Sequence, residues 1–382
     1  MRASLRRRLS GASAGSESLS LAVLGVGNIG TVHLGSALAM DDVTVVAAAD
    51  AVAENRQRAE KMGVPRTYDD YAALLESESP DAAVVALPPF LHAEAVERAA
   101  EAGVDVFVEK PLARTVEEAE AMLEAADEAG IRVGVDHTLR YQPDVVGVKE
   151  AYEEGRIGRV PFASMVRIND DPFGRPPVED APPSWRLDPD AVGGGALLEL
   201  GVHCFDVLEW LFGDLEVRDA QVDATLDLPL EDAATVSLRA PETETAISLH
   251  CGTYQWEDLP EVNTRLALQG VTGTIENEEY LPENFYASAA TSALGNVASR
   301  FTGDDPDVYG PTFYYRAHYD ALADFAEAIL ADEAPPVDGE TGKRTLELAE
   351  TAYELAGRNG GADGDGDSEA DGDGADSLEV MH

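Results

Sequence analysis

A chain of 382 residues with 45% apolar side chains can bury two moderate cores, so a soluble two-domain protein is expected. Its 27 basic against 73 acidic residues give a formal charge of −46, which repels nucleic acid and anionic lipid and excludes both as partners. Two cysteines, Cys204 and Cys251, are too few for a disulfide framework or a structural zinc cluster, and no metal site is expected.

Residues 1–18 have a basic start but no apolar stretch before Glu17, and read as a disordered arm rather than a secretion signal. No run of about 20 apolar residues follows, so no membrane span is expected and the cytoplasm is the simplest address. From Leu19 to Val135 short apolar runs alternate with amphipathic ones, the pattern of βαβ units. The expected strands are Leu21–Leu24, Val43–Ala49, Ala82–Leu87, Val104–Val108 and Ile131–Val135. Helices are expected at Ala51–Lys61, His92–Ala102 and Val116–Ala129, the last two stopped by Gly103 and Gly130. Residues 19–138 thus read as a Rossmann domain with a doubly wound parallel sheet.

Beyond Tyr141 come a helical stretch to Tyr152, a strand at Val160–Ile168, a proline-rich loop from Asp170, and a helix from Ala196 to Phe212. Alternating runs such as TAISLHCGT and NTRLALQG lack crossover helices between them, which favours an open, mostly antiparallel sheet. Helices at Tyr315–Leu330 and Thr341–Gly357 close this second α/β domain, residues 139–358. The tail 359–382 carries eight carboxylates without Lys or Arg and reads as disordered. Removing it still leaves −38 on residues 1–358, and only four of the 27 basic residues are lysine. That surface fits a salt-loaded, halophilic cytoplasm, where high ionic strength screens the repulsion.

Gly25-x-Gly27-x-x-Gly30 lies between the first strand and the first helix. The first glycine permits the turn, the second lets a pyrophosphate approach the backbone, and the third allows close helix packing. Amides at Asn28 and Ile29 would face the phosphates. Asp50, ending the next strand, suits the ribose hydroxyls and repels a 2′-phosphate, so NAD is favoured with NADP possible. The competing reading is a tight turn and a helix-capping aspartate.

The stretches VVALPPFLHAEAVERAAEAGVDVFVEKPLA and SWRLDPDAVGGGALLELGVHCFDVLEWLFG resemble the GFO/IDH/MocA family of glucose-fructose oxidoreductase, inositol dehydrogenase and rhizopine-catabolism dehydrogenase. The likeness spans Leu19 to Arg358, with Glu109-Lys110-Pro111 and the glycine turn leading to His203 as its most specific elements. It implies a Rossmann domain followed by an α/β domain whose open sheet makes a homodimer or homotetramer. It implies hydride transfer between nicotinamide and a secondary alcohol or carbonyl of a sugar, polyol or sugar acid, with Lys110, an acid and His203 as catalytic residues. By the same resemblance Glu109 and Lys110 lie beside the nicotinamide ribose, Leu87, Pro88 and His92 line the cofactor, and Trp185 and Arg186 match a cofactor-contacting pair. Two departures stand out: Glu199 replaces the usual aspartate, and Asp136 replaces a frequent asparagine.

Glu199 and His203 are four apart, so one helix face carries both, while Leu198, Val202, Phe205 and Leu208 form the apolar face. A neutral histidine suits a general base, and the Lys110 ammonium suits the oxygen that becomes partly negative. Glu199 would bind a substrate hydroxyl or orient the base. His33 and His318 read as structural, and Trp210 as packing. Alternatives are a sugar-sugar oxidoreductase with tightly held NADP, and a catalytically silent cofactor-sensing regulator of the same fold.

Overall fold

A computed structural model describes residues 18–169, 185–226, 228–253, 262–277 and 313–360. The basic arm up to residue 17, the proline-rich loop 170–184 and the tail from 361 lie outside the described residues.

The first sheet is built from β1 (Leu19–Leu24), β2 (Val43–Ala49), β3 (Thr67–Tyr68), β4 (Ala82–Val85), β5 (Asp105–Val108) and β6 (Val133–Val135). Its order is β3-β2-β1-β4-β5-β6 with every pairing parallel. That is the doubly wound dinucleotide-binding order, with its switch point between β1 and β4. Alternation along β1 decides which face each side chain joins: Leu21 and Val23 enter one cluster, Ala22 and Leu24 the other. Helices α1 (Asn28–Leu38), α2 (Ala53–Met62), α3 (Tyr71–Glu78), α4 (His92–Ala102) and α5 (Val116–Ala129) make the crossovers. The short β3 and α3 have no counterpart among the elements read from the sequence; α3 starts on Asp70, whose side chain accepts from Ala72 N.

After α6 (Pro143–Glu153), the second sheet comprises β7 (Phe162–Asn169), β8 (Glu216–Asp223), β9 (Ala233–Ala240), β10 (Thr245–Thr253), β11 (Val262–Gln269) and β12 (Thr274–Glu276). Its order is β12-β11-β7-β10-β9-β8, antiparallel throughout except for the β7–β10 pair. One face carries α7 (Val202–Phe212) and α9 (Gly339–Gly360), which bury Leu238, Leu249 and Leu266 in a core continuous with the first domain.

Two expectations need revision. Helix α8 (Phe313–Leu330) does not pack on the second sheet: Leu322 and Phe325 join Leu21, Val23, Leu34 and Phe107 in the core under α1. The chain thus returns to cover the Rossmann sheet, and the domain boundary in sequence is not the boundary in space. The segment Pro189–Phe212 is long and apolar enough to cross a membrane by length and composition, yet 78% of its most apolar window is buried inside the protein. It is a core helix, apolar because it is covered on all sides.

Candidate active site

The glycine loop turns as its spacing requires. Gly25 has φ +89°, and a Cβ there would lie 2.4 Å from the Ala86 carbonyl oxygen. One on Gly30 would lie 2.0 Å from the Gly25 carbonyl oxygen, so α1 can approach β1 only without a side chain. Around Gly27 no atom stands within 4 Å of such a Cβ, leaving the open space a pyrophosphate needs. The Asp50 carboxylate, at the end of β2, accepts from Val26 N at 2.7 Å and Val52 N at 2.8 Å. Two backbone amides therefore fix its direction. These residues fit a bound dinucleotide.

Loop and second domain enclose one cavity of about 730 Å³. Gly25, Gly27, Asn28, Ile29 and Asp50 line one end; Leu87, Pro88, Glu109 and Lys110 follow; Trp185, Arg186, Glu199 and His203 come from the second domain. Sequence-distant residues thus meet at the carboxyl ends of β4 and β5, where open parallel sheets bind ligands. Gly30 packs beneath the loop instead of lining it. His92 also stands off the wall: it is fully buried, with Nε2 2.8 Å from the Leu87 carbonyl and Nδ1 3.0 Å from that of Pro111. It ties the loops after β4 and β5 together and reaches the cavity only through them.

Lys110 precedes a cis peptide to Pro111. Its Nζ donates to the Glu199 carbonyl at 3.0 Å and pairs with Glu199 Oε1 at 3.1 Å. Glu199 therefore orients the lysine, whereas the sequence reading had it bind a hydroxyl or orient the base. The helix around it is also different: Leu197–Gly201 is a π-turn before α7 begins. An inserted residue of this kind shifts the face on which Glu199 projects, so simple four-residue spacing does not describe the pair. Nor is α7 amphipathic, since Val202 through Leu208 are all buried.

The start of this helical segment is held by a residue that composition does not single out. Glu231 accepts from Gly195 N at 2.8 and 2.9 Å, from Leu197 N at 3.2 Å, and from the Tyr353 hydroxyl. A Cβ on Gly195 would lie 2.0 Å from the Glu231 carbonyl oxygen, which accounts for glycine at the turn.

His203 is 5% exposed, and burial, followed by the charges of Arg167 and Lys110, holds its imidazole well below the usual histidine range. It is neutral at physiological pH and can accept a proton. Its Nδ1 is buried without a hydrogen-bond partner among the described residues, and His137 stacks edge-on at 6.1 Å. The segment is tied to the turn that follows β6 by Arg140, which forms a bidentate pair with the fully buried Asp206 at 2.6 and 2.8 Å.

Glu109, Asp136 and His318 on the cavity wall belong to a charged network. His33 Nε2 is 2.7 Å from Glu109 Oε1 and 3.4 Å from Asp136 Oδ2, and His318 Nδ1 is 2.7 Å from Asp136 Oδ2. Burial opposes charge on His33, but the hydrogen bonds and charges of Asp136 and Glu109 outweigh it and raise its pKa to about 10. Burial opposes charge on Asp136 too, but His318 and then His33, through their charges and hydrogen bonds, hold its carboxyl below its ordinary range. The aspartate at 136 is thus one member of an ion network that an amide could not complete. His33 is 76 residues from Glu109 and His318 is 182 from Asp136, beyond the reach of any local motif.

Comparison with known proteins follows the same division. The family model described as an oxidoreductase family, NAD-binding Rossmann fold, matches residues 19–137, and the GFO/IDH/MocA C-terminal domain matches residues 145–276. The chain belongs to the GFO/IDH/MocA oxidoreductase family. Myo-inositol 2-dehydrogenase of Thermotoga maritima is 29% identical over 87% of this chain and 94% of its own. D-xylose 1-dehydrogenase (NADP(+)) 2 of Haloferax volcanii is 26% identical over 78% of this chain and 85% of its own. The crystal structure of a probable dehydrogenase from Thermotoga maritima aligns with a TM-score of 0.72 at 25% identity, covering 89% of this chain and 97% of that one.

Proposed function

We propose that this GFO/IDH/MocA member is an NAD-dependent dehydrogenase or reductase acting on a secondary alcohol or carbonyl of a sugar, polyol or sugar acid. The observation that carries the reading is the shared cavity: a glycine loop with Asp50 at one end, Lys110, Glu199 and His203 at the other. Bound nicotinamide supplies the hydride acceptor or donor. In the oxidative direction the hydroxyl proton passes to neutral His203, the C–H electron pair leaves as hydride, and the Lys110 ammonium faces the oxygen as it becomes a carbonyl. Glu199 is the positioning partner of Lys110. Asp50, Glu109, Trp185 and Arg186 complete the nucleotide wall, with Asp50 favouring NAD over NADP.

The acidic surface supports a cytoplasmic enzyme working in concentrated salt. The outward row of β7, with Phe162 61% exposed and Ser164, Val166 and Ile168 half-buried, supports pairing of subunits through the second sheet. The test is a panel of polyols, sugars and sugar acids in molar KCl, with NAD and NADP in parallel. Turnover with NAD preferred is expected, and K110M or H203N should lower kcat by about 10²–10⁴-fold. Tight nucleotide binding with no substrate in the panel changing nicotinamide absorbance would instead support a silent sensor.

A further inference from the structure

The second sheet sends another charge into the cavity. On β7, Ala163, Met165 and Arg167 alternate toward the helical layer and are all buried, so Arg167 occupies a position where the strand period calls for a third apolar residue. Arg167 is 5% exposed, and its Nη1 donates to Thr264 Oγ1 at 2.7 Å on the adjoining strand β11. That contact fixes the plane of the fork. Arg167 lines the same cavity as Lys110, Glu199 and His203, and Asn169 follows it on the wall. After burial, the Arg167 charge is the foremost influence holding the His203 imidazole below the usual range, ahead of Lys110.

A cation in a low-dielectric wall is costly, and a neutral residue of similar size would fill the position without that cost. What arginine adds is a planar fork whose two parallel N–H groups match a carboxylate. The carboxylates of Glu109, Asp136 and Glu199 also line the cavity, and each opposes an anion placed beside it. A substrate bearing both a carbinol and a carboxylate therefore has one favourable orientation. We propose that Arg167 binds a carboxylate of the substrate, so that the enzyme takes a sugar acid in preference to the matching neutral sugar.

This inference rests on the dehydrogenase reading, and binding separates the two. NADH-loaded enzyme in molar KCl is titrated calorimetrically with D-glucuronate and D-gluconate, and with D-glucose and myo-inositol as neutral counterparts. The wild type should favour the acids by roughly 10- to 100-fold. R167M should abolish that ratio, and R167K, a point charge without the fork, should retain part of it. A ratio unchanged in R167M, or neutral compounds bound by the wild type as tightly as acids, overturns the proposal; the wild-type ratio decides even if R167M does not fold. Neutral polyols turning over while acids neither bind nor react would leave the dehydrogenase reading standing and remove this one. Acids bound through Arg167 with no compound oxidised or reduced would do the reverse.

Discussion

His203 and His33 are both buried histidines, and their neighbours decide opposite states. His203 lies among cations, so burial and charge act together to keep it neutral. His33 lies between two carboxylates, which keep it protonated up to about pH 10. For His203 the base form survives to lower pH than in an ordinary histidine. Oxidative kcat/KM should therefore stay level as pH falls through 6.5, and a half-maximal point at that pH would contradict the assignment. For His33 the sign is the reverse: a raised folded pKa gives stability that is complete below 6.5 and lost as pH rises through about 10. The wild type should lose more melting temperature over that window than H33Q; equal losses would show that the network does not hold the charge. Neither state was legible in the sequence. His203 was found from its neighbours in a motif, but His33 read as structural because its partners Glu109 and Asp136 sit on β-strand ends far along the chain.

At the level of elements, the glycine loop was readable because its tightest constraint is local: the two atoms nearest a Cβ on Gly30 both belong to Gly25 of the same loop. The helical segment that carries Glu199 and His203 was readable only in extent. Its π-turn and its burial on all sides come from contacts with β10, Glu231 and α9 that no periodicity encodes. Glu231 offers the clearest test of that dependence. E231Q should destabilise the protein by about 1–3 kcal/mol, the cost of weakening hydrogen bonds to a charged acceptor. Y353F, which removes a single donor to the same carboxylate, should cost less. Denaturant unfolding of both variants measures the difference, and equal losses would mean that Glu231 acts through Tyr353 alone.

Across the whole molecule, the charge of −46 is a property of the surface that no buried pair offsets. Screening should govern stability, so the melting temperature should fall on dilution from molar KCl to low salt. Deleting residues 361–382 should leave most of that dependence, because the body itself carries the excess of carboxylates. Insensitivity to salt would show that the acidic residues are spaced too widely to repel. The same scale explains where α8 packs: it follows the second sheet in sequence, but Leu322 and Phe325 find their apolar partners under α1.

The sequence by itself determined the alternation of strands and helices along most of the first domain, the glycine turn, and the excess of carboxylates. These depend on residues within a few positions of each other or on composition, which the chain carries whether folded or not. Only the tertiary structure decided that Lys110 pairs with Glu199, that Arg167 and His203 line one cavity, and which buried histidine is charged. Those depend on distances of a few ångströms between segments tens to hundreds of residues apart, and electrostatic energy in a dry interior is set by such distances.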